Sequence, residues 1–275
     1  MNTHISNLMD FSQSEDLEIY YKFGLDDIDK FFGGVKPCEL ATLYGDIASG
    51  KTTFSIRMLD YQSIENRIPS LYFCIRNTPQ NIIQRLVGLN CSIFWRDVEL
   101  RKELRSKEVD QFLNKISESP IYLYQAKAVT IEEVCNICKK HVEELGIKIV
   151  FLHYLYIEGK DKAYKLRLLA RDLGIAIVLL ENMQGYGEGF IGVRPFLKDL
   201  CYDHLNEYSD IVIGLCDYSS YHMYQDIDGR DLRNLIHVEL LKGGDGNTNR
   251  EFYIQKELLH RKIHDYYSLP YKEGN

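Results

Sequence analysis

Short apolar runs, dense in β-branched and aromatic residues, alternate along the chain with longer stretches whose apolar positions recur at helical spacing. Such runs suit strands buried on both faces of a parallel sheet, and the amphipathic stretches between them suit helices that cover it. Strands are expected at 40–44, 70–75, 121–124, 148–153, 175–180, 210–216, 235–241 and 251–255. Helices are expected from Lys51 onward and near 80–89, 100–117, 131–145, 162–173 and 196–208. The pattern reads as an α/β fold, a mostly parallel central sheet with helices on both faces. Residues 1–20 read as a polar arm or linker helix, and 21–275 as one domain.

Between the first expected strand and its helix stands Gly45-Asp46-Ile47-Ala48-Ser49-Gly50-Lys51-Thr52, a G-x-x-x-x-G-K-T sequence, followed by Thr53. Strand, glycine-bounded loop and helix in that order form a phosphate-binding loop. The glycines let successive N–H groups point inward, and the helix N-terminus adds partial positive charge beneath an anion. Lys51 would reach the β- and γ-phosphates of a nucleoside triphosphate, and the Thr52 hydroxyl would be a ligand of the accompanying Mg²⁺.

Composition narrows the partners. The net charge of −7 provides no general basic field for nucleic acid or membrane, so any DNA contact must be local. The seven cysteines are scattered, several inside apolar runs, which suits reduced thiols in a cytoplasmic protein. No apolar run approaches the ~18 residues of a membrane span. Cys135, Cys138 and His141 have a C-x-x-C beginning, but with no second ligand pair at usable spacing they read as helix packing.

From Gly24 to about Tyr267 the order of motifs resembles the RecA-like motor domain of DnaB-type replicative helicases, with KaiC-like and RadA-like ATPases more distant. The likeness rests on the phosphate loop, on the lead-in from Phe23 to Pro37 with its aspartates and Gly33-Gly34 turn, and on the 148–155 strand. It implies a RecA-like P-loop fold, ATP with Mg²⁺, single-stranded DNA and a homo-oligomer, ring-shaped or smaller. The resemblance also exposes departures. His153 stands where the family's strand ends in a metal-holding aspartate, Arg76 where it carries the glutamate that polarises water, and Gly244 where it supplies an arginine finger. Asn182 replaces the usual glutamine sensor, while Lys242 is retained.

Two accounts follow: a nucleotide-binding motor domain that has lost most hydrolysis, or one whose catalytic groups have moved, with Glu181 as the carboxylate and Arg250 as the finger. A helicase-derived regulator or scaffold that joins a helicase partner, and a KaiC- or RadA-like ATPase, are the alternatives. For DNA, the resemblance points to two loops. The first offers Lys160, Lys162, Lys165 and Arg167, which also fit a solvated helix face; the second offers Tyr186 for stacking and Arg194 for phosphate. Lys242 and Arg250 are the subunit-interface candidates.

Overall fold

The computed structural model describes residues 19–75, 77–91, 93, 107–183, 194–201, 204–243, 251–257 and 262–266. In chain order their strands are β1 (Leu40–Gly45), β2 (Ser70–Cys74), β3 (Ile121–Gln125), β4 (Val129–Thr130), β5 (Ile149–His153), β6 (Ile157–Glu158), β7 (Ala176–Asn182), β8 (Ile211–Cys216), β9 (Leu235–Lys242), β10 (Glu251–Glu257) and β11 (Lys262–Asp265). The α-helices are α1 (Asp26–Phe32), α2 (Lys51–Leu59), α3 (Pro79–Asn90), α4 (Lys107–Ser117), α5 (Ile131–Leu145), α6 (Lys162–Leu173) and α7 (Leu205–Tyr208).

Nine strands form one sheet in the order β11-β10-β9-β8-β1-β7-β5-β2-β3, and β4 pairs with β6 apart from it. From β3 to β8 the pairs are parallel; β9, β10 and β11 extend the sheet antiparallel. β1 lies between β7 and β8, so the phosphate loop leaves the middle of the sheet at its carboxyl edge. In open α/β sheets that edge is where ligands bind.

Each sheet face carries its own core. Leu43, Tyr72, Phe151, Val178 and Ile213 face α1 to α4 through Ile28, Phe54, Ile82, Leu86 and Phe112. Leu40, Phe73, Leu152, Leu179 and Val212 face α5 to α7 through Val134, Cys138, Leu166, Leu169 and Leu205. Burial on both faces explains why these strands read as continuous apolar runs.

Local chemistry sets the helix ends. Thr78 and Thr130 close capping boxes with Asn81 and Glu133 on α3 and α5. The start of α1 is capped from across the chain: the N–H groups of Asp26 and Asp27 donate to the Asp265 carboxylate at 2.9 and 3.2 Å. Asp29 turns back to accept from the N–H groups of Phe23, Gly24 and Leu25, fixing the lead-in against α1.

The eight expected strands form within a residue or two of their expected bounds, and β11 joins them with only Ile263 as an apolar signal. One helix differs. The expected helix at 196–208 is a 3₁₀ turn at Leu197–Leu200 and the four-residue α7, because His204 takes a left-handed φ of 53° and interrupts it. No helix among the described residues is long and apolar enough to cross a membrane.

Candidate functional site

The phosphate loop departs from β1 and must turn through a full reversal before α2 begins. Ala48 (φ 67°) and Gly50 (φ 100°) take left-handed backbone to do this. Gly45 is required for a different reason: a Cβ there would collide with the Leu215 carbonyl oxygen and lie 2.6 Å from Ser49 Oγ. Lys51 is buried and curls back over the loop, its Nζ donating to the carbonyl oxygens of Gly45 (2.8 Å) and Asp46 (2.7 Å) and to Ser49 Oγ (3.3 Å). Those carbonyls hold the ammonium at the position from which it would turn outward to an anion.

Beside the loop a cleft of about 310 Å³ opens between β1, β5, β7 and α3. Ile47, Ala48, Ser49, Gly50, Lys51, Thr52 and Thr53 form one wall; Asn77, Arg85, His153 and Asn182 complete it. The register explains the convergence. Gly45 pairs with Asn182 and Leu180 with His153, so three strand ends arrive side by side. Alternation then decides the faces: Leu180 and Phe151 lie on the α2 side, and His153 and Asn182 share it.

The same alternation separates Glu181. It pairs with Tyr44, whose ring lies in the α5–α7 core, so the Glu181 carboxylate is turned to the opposite face from the cleft and is 1% exposed. The candidate carboxylate of the sequence does not line the cleft. Among the described lining residues there is no aspartate or glutamate, while Lys51, Arg85 and His153 are all basic.

Besides Asn77, two residues missed in the sequence belong here. Arg85 stands on α3 between the buried Ile82 and Leu86, a lone arginine at the border of an apolar stripe, which was the available signal. Burial draws its pKa below the ordinary value, with Tyr72 opposing, and a guanidinium remains charged at neutral pH. Tyr221 comes from a 3₁₀ turn at Tyr218–Tyr221 and donates its hydroxyl to the Asp46 carboxylate, which also accepts from the Ile47 N–H at 2.6 Å. Burial, then that hydrogen bond, raises the Tyr221 pKa. Lys256 on β10 holds the same turn through Asp217 and Ser219. The separation of 175 residues left nothing in the sequence to join Tyr221 to the loop.

Among the described residues the DNA candidates do not share one surface. Arg167 pairs with Asp210 at 2.7 Å and donates to the Cys38 carbonyl, at the amino edge of β1 and β8 and so opposite the cleft. Lys165 pairs with Glu132 on α5 at 2.7 Å, and Lys162 Nζ lies 4.3 Å from the Tyr154 ring centroid. Lys160 is exposed. Arg194 donates to Glu239 on β9 (2.8 Å) and to Glu251 on β10, which raise its pKa. Lys242, paired opposite Val212, also lies at the amino edge and donates to the carbonyls of Asn206 and Glu207. Arg76, Tyr186, Gly244 and Arg250 lie outside the described residues.

Comparison with known proteins adds the wider relationship. Residues 21–257 match the family model of the DnaB-like helicase C terminal domain. Over 219 residues the chain is 20% identical to the replicative DNA helicase DnaB of Leifsonia xyli subsp. xyli, covering 72% of this chain and 47% of that protein. Against the replicative DNA helicase DnaB of Treponema pallidum it is 23% identical over 193 residues, covering 64% and 43%. The chain thus spans less than half the length of either relative. A solved ATPase domain superposes with a TM-score of 0.82 at 18% identity, covering 96% of this chain and 97% of that one. A DnaB-like replicative helicase, solved in a study of its interactions with primase, superposes with a TM-score of 0.80 at 16% identity, covering 96% and 66%.

Proposed function

Because the chain belongs to the DnaB-like helicase C-terminal domain family, we propose that its helicase-motor-like, nucleotide-binding fold takes ATP at the Gly45–Thr53 loop and serves DNA replication within an oligomer. The observation that carries this reading is the cleft itself: a phosphate loop at the carboxyl edge of the sheet, with Lys51 beside it and Asn182 across from Gly45. Lys51 would exchange two backbone carbonyls for phosphate oxygens. The N–H groups of the loop and the start of α2 would meet the same anion.

Mg²⁺, which the family implies, fits this cleft poorly. Thr52 offers a hydroxyl, but the strand end offers the His153 imidazole, a weak match for a hard cation that prefers anionic oxygen. Among the described residues no group of three or more His, Cys, Asp or Glu is placed to hold a metal ion. With no carboxylate among the described lining residues to polarise water, turnover of ATP would be slow.

Single-stranded DNA would be met by Lys160 and by the segment containing Tyr186, and Lys242 and Arg250 would face a neighbouring subunit. These assignments rest on the resemblance. Phosphate release from ATP, measured with and without single-stranded DNA and against Lys51→Ala, tests the proposal. DNA-stimulated turnover lost in the variant supports a motor. Binding without turnover would leave a nucleotide-gated switch, and absence of both would defeat the reading.

A further inference from the structure

A nucleoside triphosphate carries a concentrated negative charge at its β- and γ-phosphates. P-loop enzymes commonly offset it with the loop lysine and a Mg²⁺ held by the loop Ser/Thr and an aspartate. Here the described lining offers no such acid, and a second fixed cation is present. Arg85 lines the cleft together with Lys51. A guanidinium presents five donors in a planar fork that suits a phosphate bidentately.

Its position is secured from both ends of α3. Thr78 and Pro79 start the helix, Ile82, Leu86 and Val87 seat it in the core, and Asn90 Nδ2 donates to Asp60 Oδ1 at 2.8 Å. Asp60 opens the π-type turn that continues α2. The helix carrying Arg85 is thus tied to the helix carrying Lys51, and the two cations border one cleft.

We propose that this cleft binds a nucleoside triphosphate without needing a divalent cation, Arg85 taking the terminal-phosphate charge that a bound Mg²⁺ would otherwise offset. The inference rests on the nucleotide-binding reading above and adds the ionic requirement and the residue that meets it. It makes Arg85 a discriminator, since a diphosphate lacks the group it would hold.

The test is fluorescence titration of the full chain with mant-ATP and mant-ADP, in excess EDTA and in excess Mg²⁺. ATP affinity should agree within about threefold between the two conditions. Arg85→Ala should weaken ATP about tenfold or more and change ADP by less than about threefold, with Arg85→Lys recovering part of the loss. His153→Asp, which supplies an acid at the strand end, should make ATP binding strengthen when Mg²⁺ is added. A wild-type affinity that collapses in EDTA and returns with Mg²⁺ would overturn the inference and leave nucleotide binding intact. Equal losses for ATP and ADP in Arg85→Ala, or no loss, would remove Arg85 from the role. Failure of the folded wild-type chain, verified by circular dichroism, to bind nucleotide in either condition would defeat the functional reading itself.

Discussion

Gly50 closes the phosphate loop at φ +100°, and alanine there meets two separable penalties. Left-handed backbone costs an L-residue about 1–2 kcal/mol. The new Cβ would also fall 2.5 Å from Ile236 Cδ1, the end of a buried side chain on β9, with Cγ1 the next atom at 3.5 Å. Displacing that methyl adds about 1–2 kcal/mol. Gly50→Ala should therefore lose about 2–4 kcal/mol in urea unfolding followed by circular dichroism. Ile236→Val removes Cδ1 itself, at a cost of about 1 kcal/mol. In the Ile236→Val background the steric penalty disappears and the backbone penalty stays, so the same glycine substitution should cost only about 1–2 kcal/mol. The coupling energy of the cycle is then about 1–2 kcal/mol. Equal costs of Gly50→Ala in both backgrounds would refute the contact and leave backbone strain as the whole effect.

Glu181→Gln should leave any ATP turnover within about twofold of wild type, because alternation turns the carboxylate away from the cleft; a drop of about 100-fold would restore it as the relocated acid. Arg167→Ala should lower stability by about 1–2 kcal/mol through its lost bonds to Asp210 and the Cys38 carbonyl, a range reduced for their partial exposure. Its affinity for a labelled single-stranded oligonucleotide, read by anisotropy, should not change. Burial holds His237 below its ordinary pKa of 6.5, against the upward pull of Glu251. The unfolded chain then binds that proton first, so stability should fall as pH drops through about 6.5, and His237→Gln should flatten that slope. Burial raises the Glu251 pKa, but Arg194 and His237 outweigh it, so its contribution is lost only at pH below 4.5 and does not mask the histidine.

The sequence by itself determined what is local. A strand buried on both faces needs a run of apolar residues, and six such runs became the buried strands β1, β2, β5, β7, β8 and β9. The phosphate loop was equally legible, because its glycines, lysine and threonine are contiguous and their spacing is the mechanism. Helices were readable where caps and apolar stripes agreed, as in Thr130 and α5, and misread where one left-handed residue, His204, broke a continuous pattern. Tertiary structure decided everything that depends on register and on distant partners. Whether Glu181 or Asn182 reaches the cleft turns on a single residue of alternation, which the pairing of β7 with β1 fixes. Arg85, Tyr221 and the Asp265 cap on α1 act across many residues of chain, and only packing brings Arg85 to the cleft and the other two to their partners. Arg167 shows the reverse: its neighbours in sequence suggested a basic DNA loop, whereas an ion pair with Asp210 commits it to the far edge of the sheet.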